Sequence, residues 1–213
     1  MQKINFKTSD GIIIVANWLP VENAKKNALL LHMRPATKES WNEFAVKLNK
    51  AGISALSIDL RGHGESTEQN GKKIDYKNFS KESHEACRLD VDAAINWLTE
   101  QGIDDIAVIG GSIGANLAID AMARHVEIKK GVALSPGLEF LGISTDDKIS
   151  SFKKDQKIFL IASEDDSYSY ESVLKLKKIN PPAKTKLFKD AGHATRMFDS
   201  RPELIDEIIN WLK

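Results

Sequence analysis

Gly110-Gly111-Ser112-Ile113-Gly114 is the stretch on which the fold turns. The residues just before it, 106–109, read Ile-Ala-Val-Ile, the apolar run of a covered strand, and residues 113–123 carry the alanine-rich pattern of a helix. A serine at such a corner needs small neighbours two positions before and two after, because the chain doubles back and the two backbones crowd. Gly110 and Gly114 supply them. The turn lifts the hydroxyl clear of the sheet, and the helix start beyond it offers unpaired backbone N–H groups and a partial positive charge. A phosphate loop is a poor reading, since the Lys-Ser/Thr ending of a Walker loop is missing and the first βα turn lacks GxGxxG.

Outward from this corner the chain alternates between two periodicities. Ile4, Phe6 and Thr8, the turn pair Asp10-Gly11, then Ile12, Ile14, Ala16 and Trp18 predict an antiparallel hairpin with one buried face. Residues 28–32 predict a strand covered on both sides. Trp41, Phe44, Ala45 and Leu48 then fall on one helical stripe that Gly52 ends. A strand is expected over 53–58 and a long helix over 79–98, with Cys87, Val91, Ala94, Ile95 and Leu98 inward. Beyond the corner come strands at 131–134, 157–162 and 185–188 and a helix at 169–178. Leu204, Ile205, Ile208, Ile209 and Leu212 line a closing helix. Strands alternating with helices in this way predict an α/β fold with about eight strands, mostly parallel, an antiparallel N-terminal edge and helices on both faces. No linker or repeat divides residues 1–213, so one domain is expected. The segment 136–157 has room for a minimal cap and no more.

A serine hydroxyl is a weak nucleophile, so a base and an orienting carboxylate are needed further on. The strand at 157–162 ends in Ser163-Glu164-Asp165-Asp166, and the last strand ends in Lys189-Asp190-Ala191-Gly192-His193. Both lie past the carboxyl ends of strands, where open parallel sheets hold their sites. Ser112, Asp166 and His193 are the catalytic candidates, with the Ile113 N–H as one oxyanion donor.

Four landmarks stand in order: His32 closing the third strand, Asp59-Leu60-Arg61-Gly62-His63-Gly64-Glu65-Ser66 after the fourth, Gly110 to Gly114 after the fifth, and Gly192-His193 after the last. In these the chain resembles the α/β-hydrolase superfamily over essentially its full length, and is similar to its small esterases and thioesterases. The resemblance implies an α/β-hydrolase fold and a Ser-His-acid mechanism acting on an acyl carbonyl. It leaves the substrate open. Two positions depart from the family pattern. Met33 stands where a glycine usually follows the histidine, so the second oxyanion donor is the N–H of Met33 or Arg34, with Met33 favoured, and Pro35 has no N–H to offer. The acid usually follows a strand-end glycine by three residues; here Ser163 in the glycine's place selects Asp166, while Ala162 would select Asp165.

The function expected is hydrolysis of a carboxylic ester or thioester of modest acyl size through an acyl-enzyme. Amide, peptide, lactone or C–C bond hydrolysis by the same residues, and a silent scaffold of the same fold, remain alternatives. Arg34, Leu138 and Met197 flank the site as candidate substrate contacts, Arg34 through bidentate pairing with a carboxylate. Asp59, Arg61, His63 and Glu65 read as turn structure and not as a metal site, and His84 and His125 as surface residues. No metal and no cofactor is expected. The 30 Lys and Arg balance 30 Asp and Glu, leaving no field for nucleic acid. No apolar run approaches the roughly 20 residues of a membrane span. One cysteine excludes an internal disulfide, and the expectation is a cytoplasmic enzyme with a small-molecule acyl substrate, homo-oligomerisation being left open.

Overall fold

The alternating residues at the start pair as expected: β1 (Gln2–Lys7) lies antiparallel to β2 (Ile12–Leu19), with Phe6 opposite Ile14. Apolar runs then form β3 (Lys26–Leu31) and β4 (Ile53–Ile58), which are buried almost throughout because helices cover both sides. Between them runs α1 (Asn42–Lys50), which turns Phe44, Ala45 and Leu48 to the core. The computed structural model describes all residues 1–213. A short hairpin, β5 (Glu68–Gln69) and β6 (Lys72–Lys73), follows β4 and precedes α2 (Lys81–Glu85) and α3 (Arg88–Glu100). Next come β7 (Ile106–Gly111), α4 (Ile113–Arg124) and β8 (Lys130–Leu134). A small excursion holds β9 (Glu139–Phe140), β10 (Ile143–Ser144) and α5 (Asp146–Ser150). The chain finishes with β11 (Lys157–Ser163), α6 (Ser167–Ile179), β12 (Lys184–Phe188), α7 (Met197–Ser200) and α8 (Glu203–Leu212).

The main sheet runs β12-β11-β8-β7-β3-β4-β2, with β5-β6 alongside one flank of β2 and β1 on its other flank. From β12 to β4 all neighbours are parallel. Register aligns their ends: Leu31 pairs with Gly110, Gly111 with Leu134, and Ser163 with Phe188. Everything that leaves a strand at this carboxyl edge is therefore delivered to one rim. One core, with residues from α3, α4 and α6, fills one sheet face, and a second, with residues from α1 and α8, fills the other.

Two expectations change. The sheet has ten strands, because the β5–β6 pair is too short to carry a period-2 signal in sequence. The helix expected over 79–98 is broken at Ala86-Cys87, where the hydrogen bonds of Cys87, Leu89 and Asp90 switch to the tighter i→i−3 spacing. Cys87 is buried at the break. The outer strands β1 and β12 each carry two lysines, Lys3 and Lys7 on one and Lys184 and Lys186 on the other. Lys184 and Lys186 both pair with Glu207, at 3.1 and 3.0 Å. No helix is long and apolar enough to cross a membrane.

Candidate active site

Ser112 sits at the corner between β7 and α4 with φ 56° and ψ −121°, a conformation that costs a non-glycine residue about 1–3 kcal/mol. Neighbouring glycines make it feasible. A Cβ on Gly110 would stand 1.9 Å from the Gly114 carbonyl oxygen, and one on Gly114 would stand 2.3 Å from the Leu31 carbonyl oxygen. The Ser112 N–H donates to the Leu134 carbonyl at 2.9 Å, while its own carbonyl accepts from Ala115 and Asn116 in the first turn of α4. The Ile113 N–H has no acceptor within the protein, as befits a helix start facing a cleft.

His193 follows β12 through Gly192, whose φ is 81°. Three contacts hold this loop. Ser163 Oγ accepts from the Ala191 N–H at 2.8 Å, the Asp165 carboxylate accepts from the Gly192 N–H at 3.1 Å, and Ser135 Oγ accepts from the Ala194 N–H at 3.0 Å. The adjacent carboxylates thus divide their work. Asp165 fixes the loop, and Asp166 Oδ2 lies 2.6 Å from His193 Nδ1. Burial pushes the Asp166 carboxyl upward, but hydrogen bonding from His193, Ser169 and Ser135 outweighs it and holds the group below its ordinary range. An ionised Asp166 at Nδ1 fixes the proton there and leaves Nε2 with its lone pair. The loop meets the serine corner directly, since a Cβ on Gly111 would lie 3.0 Å from that of Ala194. The Ser112 hydroxyl makes no hydrogen bond to the ring here; such contacts often tighten only around a substrate.

The opposite lip is the loop after β3. His32 is fully buried, its Nε2 accepts from the Leu60 N–H at 3.0 Å, and its Nδ1 therefore donates to the Met33 carbonyl at 2.9 Å. Burial, and then the nearby His63, push its pKa down to about 3, so it stays neutral as a backbone clamp. Clamping the Met33 carbonyl inward turns the N–H of the same peptide, that of Arg34, the other way. Met33 avoids the left-handed region altogether, so the missing glycine is met by a different loop path and not by strain. Neither the Met33 nor the Arg34 N–H has an acceptor within the protein.

Beside this lip opens a cleft of about 440 Å³, lined by Ser112 and Ile113 together with Arg34, Pro35, Tyr76, Lys77, Phe140 and Leu141. Of the substrate contacts expected from sequence, Arg34 lines it. Leu138 and Met197 do not. Met197 is fully buried in the core that Phe44 and Phe198 share, and Leu138 is half-buried against the other core with its N–H on Ser172 Oγ. Arg34 makes no pair with Glu39, which Lys38 engages; its guanidinium lies 5.0 Å from the Tyr76 ring centre. The surface reading of His84 also fails, because that residue is buried edge-on to Phe79. His125 is partly exposed and bonded to Asp92. The 59–66 turn is structural throughout: Asp59 holds the buried Lys38 ammonium at 2.7 Å, and Arg61 pairs with Asp90 and Asp10.

Residues 22–163 match the family model described as serine aminopeptidase, S33. The chain belongs to that family, within the α/β hydrolases. Among curated proteins no sequence matches it significantly. Solved α/β hydrolases share its fold. The esterase Pf2001 of Pyrococcus furiosus superposes with a TM-score of 0.81 at 21% identity, covering 99% of this chain and 91% of that one. A Butyrivibrio proteoclasticus protein in complex with ferulic acid gives 0.78 at 18% identity, covering 98% and 96%. The Penicillium α/β hydrolase GrgF gives 0.81 at 14% identity, covering 100% and 97%. Membership makes the protein a hydrolase. Two features of this hydrolase's site escaped the sequence reading. Tyr76 leaves no periodic signal in its short 3-10 turn, whereas Ser135, just past the end of β8 and ahead of Pro136, sits where a parallel strand delivers to the rim.

Proposed function

We propose that this α/β hydrolase cleaves a carboxylic ester or thioester of modest acyl size through an acyl-enzyme on Ser112. The observation that carries the reading is the left-handed Ser112 lining the cleft, with the His193–Asp166 pair packed against the same corner. In this mechanism His193 Nε2 takes the Ser112 proton as Oγ attacks the acyl carbonyl, and Asp166 stabilises the imidazolium that results. The developing oxyanion is received by the Ile113 N–H and by that of Arg34. The direction of the clamped Met33 peptide supports Arg34 over Met33, which sequence had put first. His193 then protonates the leaving group, and a water deprotonated by the same ring releases the acid. No metal or cofactor enters any step.

The family's description raises aminopeptidase activity as the second reading. An aminopeptidase must hold a substrate's ammonium group, and a carboxylate is the natural partner for it. The cleft residues include none; the charged ones are Arg34 and Lys77. That favours the ester or thioester reading. A fluorophosphonate probe should label the protein but not Ser112→Ala, and turnover of short p-nitrophenyl esters should fall by roughly 10³ or more in that variant. Labelling and turnover that survive in Ser112→Ala would overturn the proposal.

A further inference from the structure

In a chain whose 30 basic and 30 acidic residues cancel, the cleft above Ser112 is lopsided: its lining holds two cations, Arg34 and Lys77, and no Asp or Glu. Neither side chain is used elsewhere. The Arg34 guanidinium and the Lys77 ammonium form no ion pair with any carboxylate in the protein. An unpaired guanidinium is ordinarily a floppy surface group, but this one is shelved. It lies over the face of Tyr76 at 5.0 Å, a contact that attracts a cation without neutralising it.

The shelf is itself built on buried structure. Tyr76 stacks on the ring of His63 at 3.9 Å and 8°, and His63 is 4% exposed. His63 Nδ1 is held by the Arg61 carbonyl at 3.0 Å, and Arg61 is locked by Asp90 and Asp10. The Tyr76 backbone is pinned from below, since its N–H reaches the Gly62 carbonyl and a Cβ on Gly62 would meet the Tyr76 nitrogen at 2.5 Å. Burial, and also the Arg34 charge, hold His63 below its ordinary pKa, so the shelf is a neutral ring pair. A planar fork fixed in advance loses less on binding than a free one, and it matches the two oxygens of a carboxylate. Phe140 and Leu141 in the same lining offer apolar surface for the carbon chain.

Resting on the acyl-transfer reading above, we infer that the preferred substrates are esters that carry a free carboxylate, bound by Arg34 on its Tyr76 shelf with Lys77 as a second cation. Dicarboxylic half-esters are the simplest members of this class. Their carboxylate remains intact, and only the ester bond is cut.

The test pairs 4-nitrophenyl hydrogen adipate with its neutral methyl ester, 4-nitrophenyl methyl adipate. In low salt kcat/KM should favour the acid by about tenfold, the scale of one charge-assisted contact at a partly exposed site. The preference should shrink in about 0.5 M salt, through KM more than kcat. It should collapse toward unity in Arg34→Gln and fall partway in Lys77→Gln, each ratio being taken within one variant so that a general change in rate cancels. Adipate binding to Ser112→Ala, measured by calorimetry, supplies a readout that needs no turnover and should weaken about tenfold when Arg34→Gln is added. Hydrolysis of both esters at equal efficiency would overturn the carboxylate preference and leave the hydrolytic assignment standing. Hydrolysis of neither, with adipate still bound through Arg34, would strike the assignment and spare the recognition site. Absence of adipate binding would overturn the site outright.

Discussion

At the level of the residue, the proposed mechanism depends on which of two neighbouring carboxylates faces the imidazole. Asp166 does, at 2.6 Å, and Asp165 is spent on the Gly192 N–H. Replacing Asp166 by Asn keeps the shape but lets the ring protonate on the wrong nitrogen. The expected result is a kcat lower by about 10³–10⁴ with KM little changed, whereas Asp165→Asn costs far less, as steady-state kinetics on one ester will measure. That Ser112, Asp166 and His193 meet at one rim is legible in the sequence because each follows a recognisable strand, and strand ends of a parallel sheet share a rim by topology alone. The choice between Asp165 and Asp166 rested on one strand-end serine, Ser163, whose hydroxyl in the fold holds the Ala191 N–H. Leu138 and Met197 were misread because apolar residues near a site in sequence look the same whether they face a cleft or the core. Tyr76 was invisible because its importance comes from His63 beneath it and Arg34 above it, residues distant in the chain.

At the level of the element, the β7–α4 corner is a close approach of three backbones. Gly110, Gly114 and the end of β3 leave no room for a methyl group: the Cβ of Gly110→Ala would sit 1.9 Å from the Gly114 carbonyl oxygen. Gly52, at the end of α1, has a φ of 85° but nothing within 4 Å. Gly110→Ala should therefore cost about 3 kcal/mol or more, through overpacking that the backbone cannot relieve, and Gly52→Ala only about 1 kcal/mol. Urea denaturation of the two variants side by side reads the difference, and equal losses would contradict that crowding. The long elements were read correctly from periodicity, because β3, β4 and β7 are covered on both faces and α8 on one. The breaks were not. Nothing in the apolar stripe of residues 79–98 marks the tightening at Cys87, which coincides with Asp90 reaching across to the Arg61 side chain and backbone.

At the level of the whole molecule, stability in acid is tied to histidines sealed inside the fold. His32 is held neutral with a pKa of about 3, while in the unfolded chain it takes up a proton near pH 6.5. Between these values the unfolded state binds more protons, so stability rises with pH across the window and is lost as pH falls from about 6.5 toward 3. The full shift corresponds to an upper bound of about 5 kcal/mol, from 1.36 kcal/mol per unit. His32→Asn, which retains an acceptor for the Leu60 N–H, should be less stable at pH 7 yet lose less between pH 7 and pH 4.5 than the native chain. Urea midpoints at the two pH values test this, and parallel losses would count against it. The same scale contains two of the sheet's edge strands, β1 and β12. An uncovered strand is a template on which another chain can build, adding layer after layer of backbone hydrogen bonds. Here β1 and β12 carry two lysines each, residues that discourage such pairing at an exposed edge. Three of those four lysines are drawn back onto the molecule's own carboxylates, Lys3 onto Glu65 and Lys184 and Lys186 onto Glu207, so these margins of the ten-stranded sheet are edged with long side chains already engaged at home.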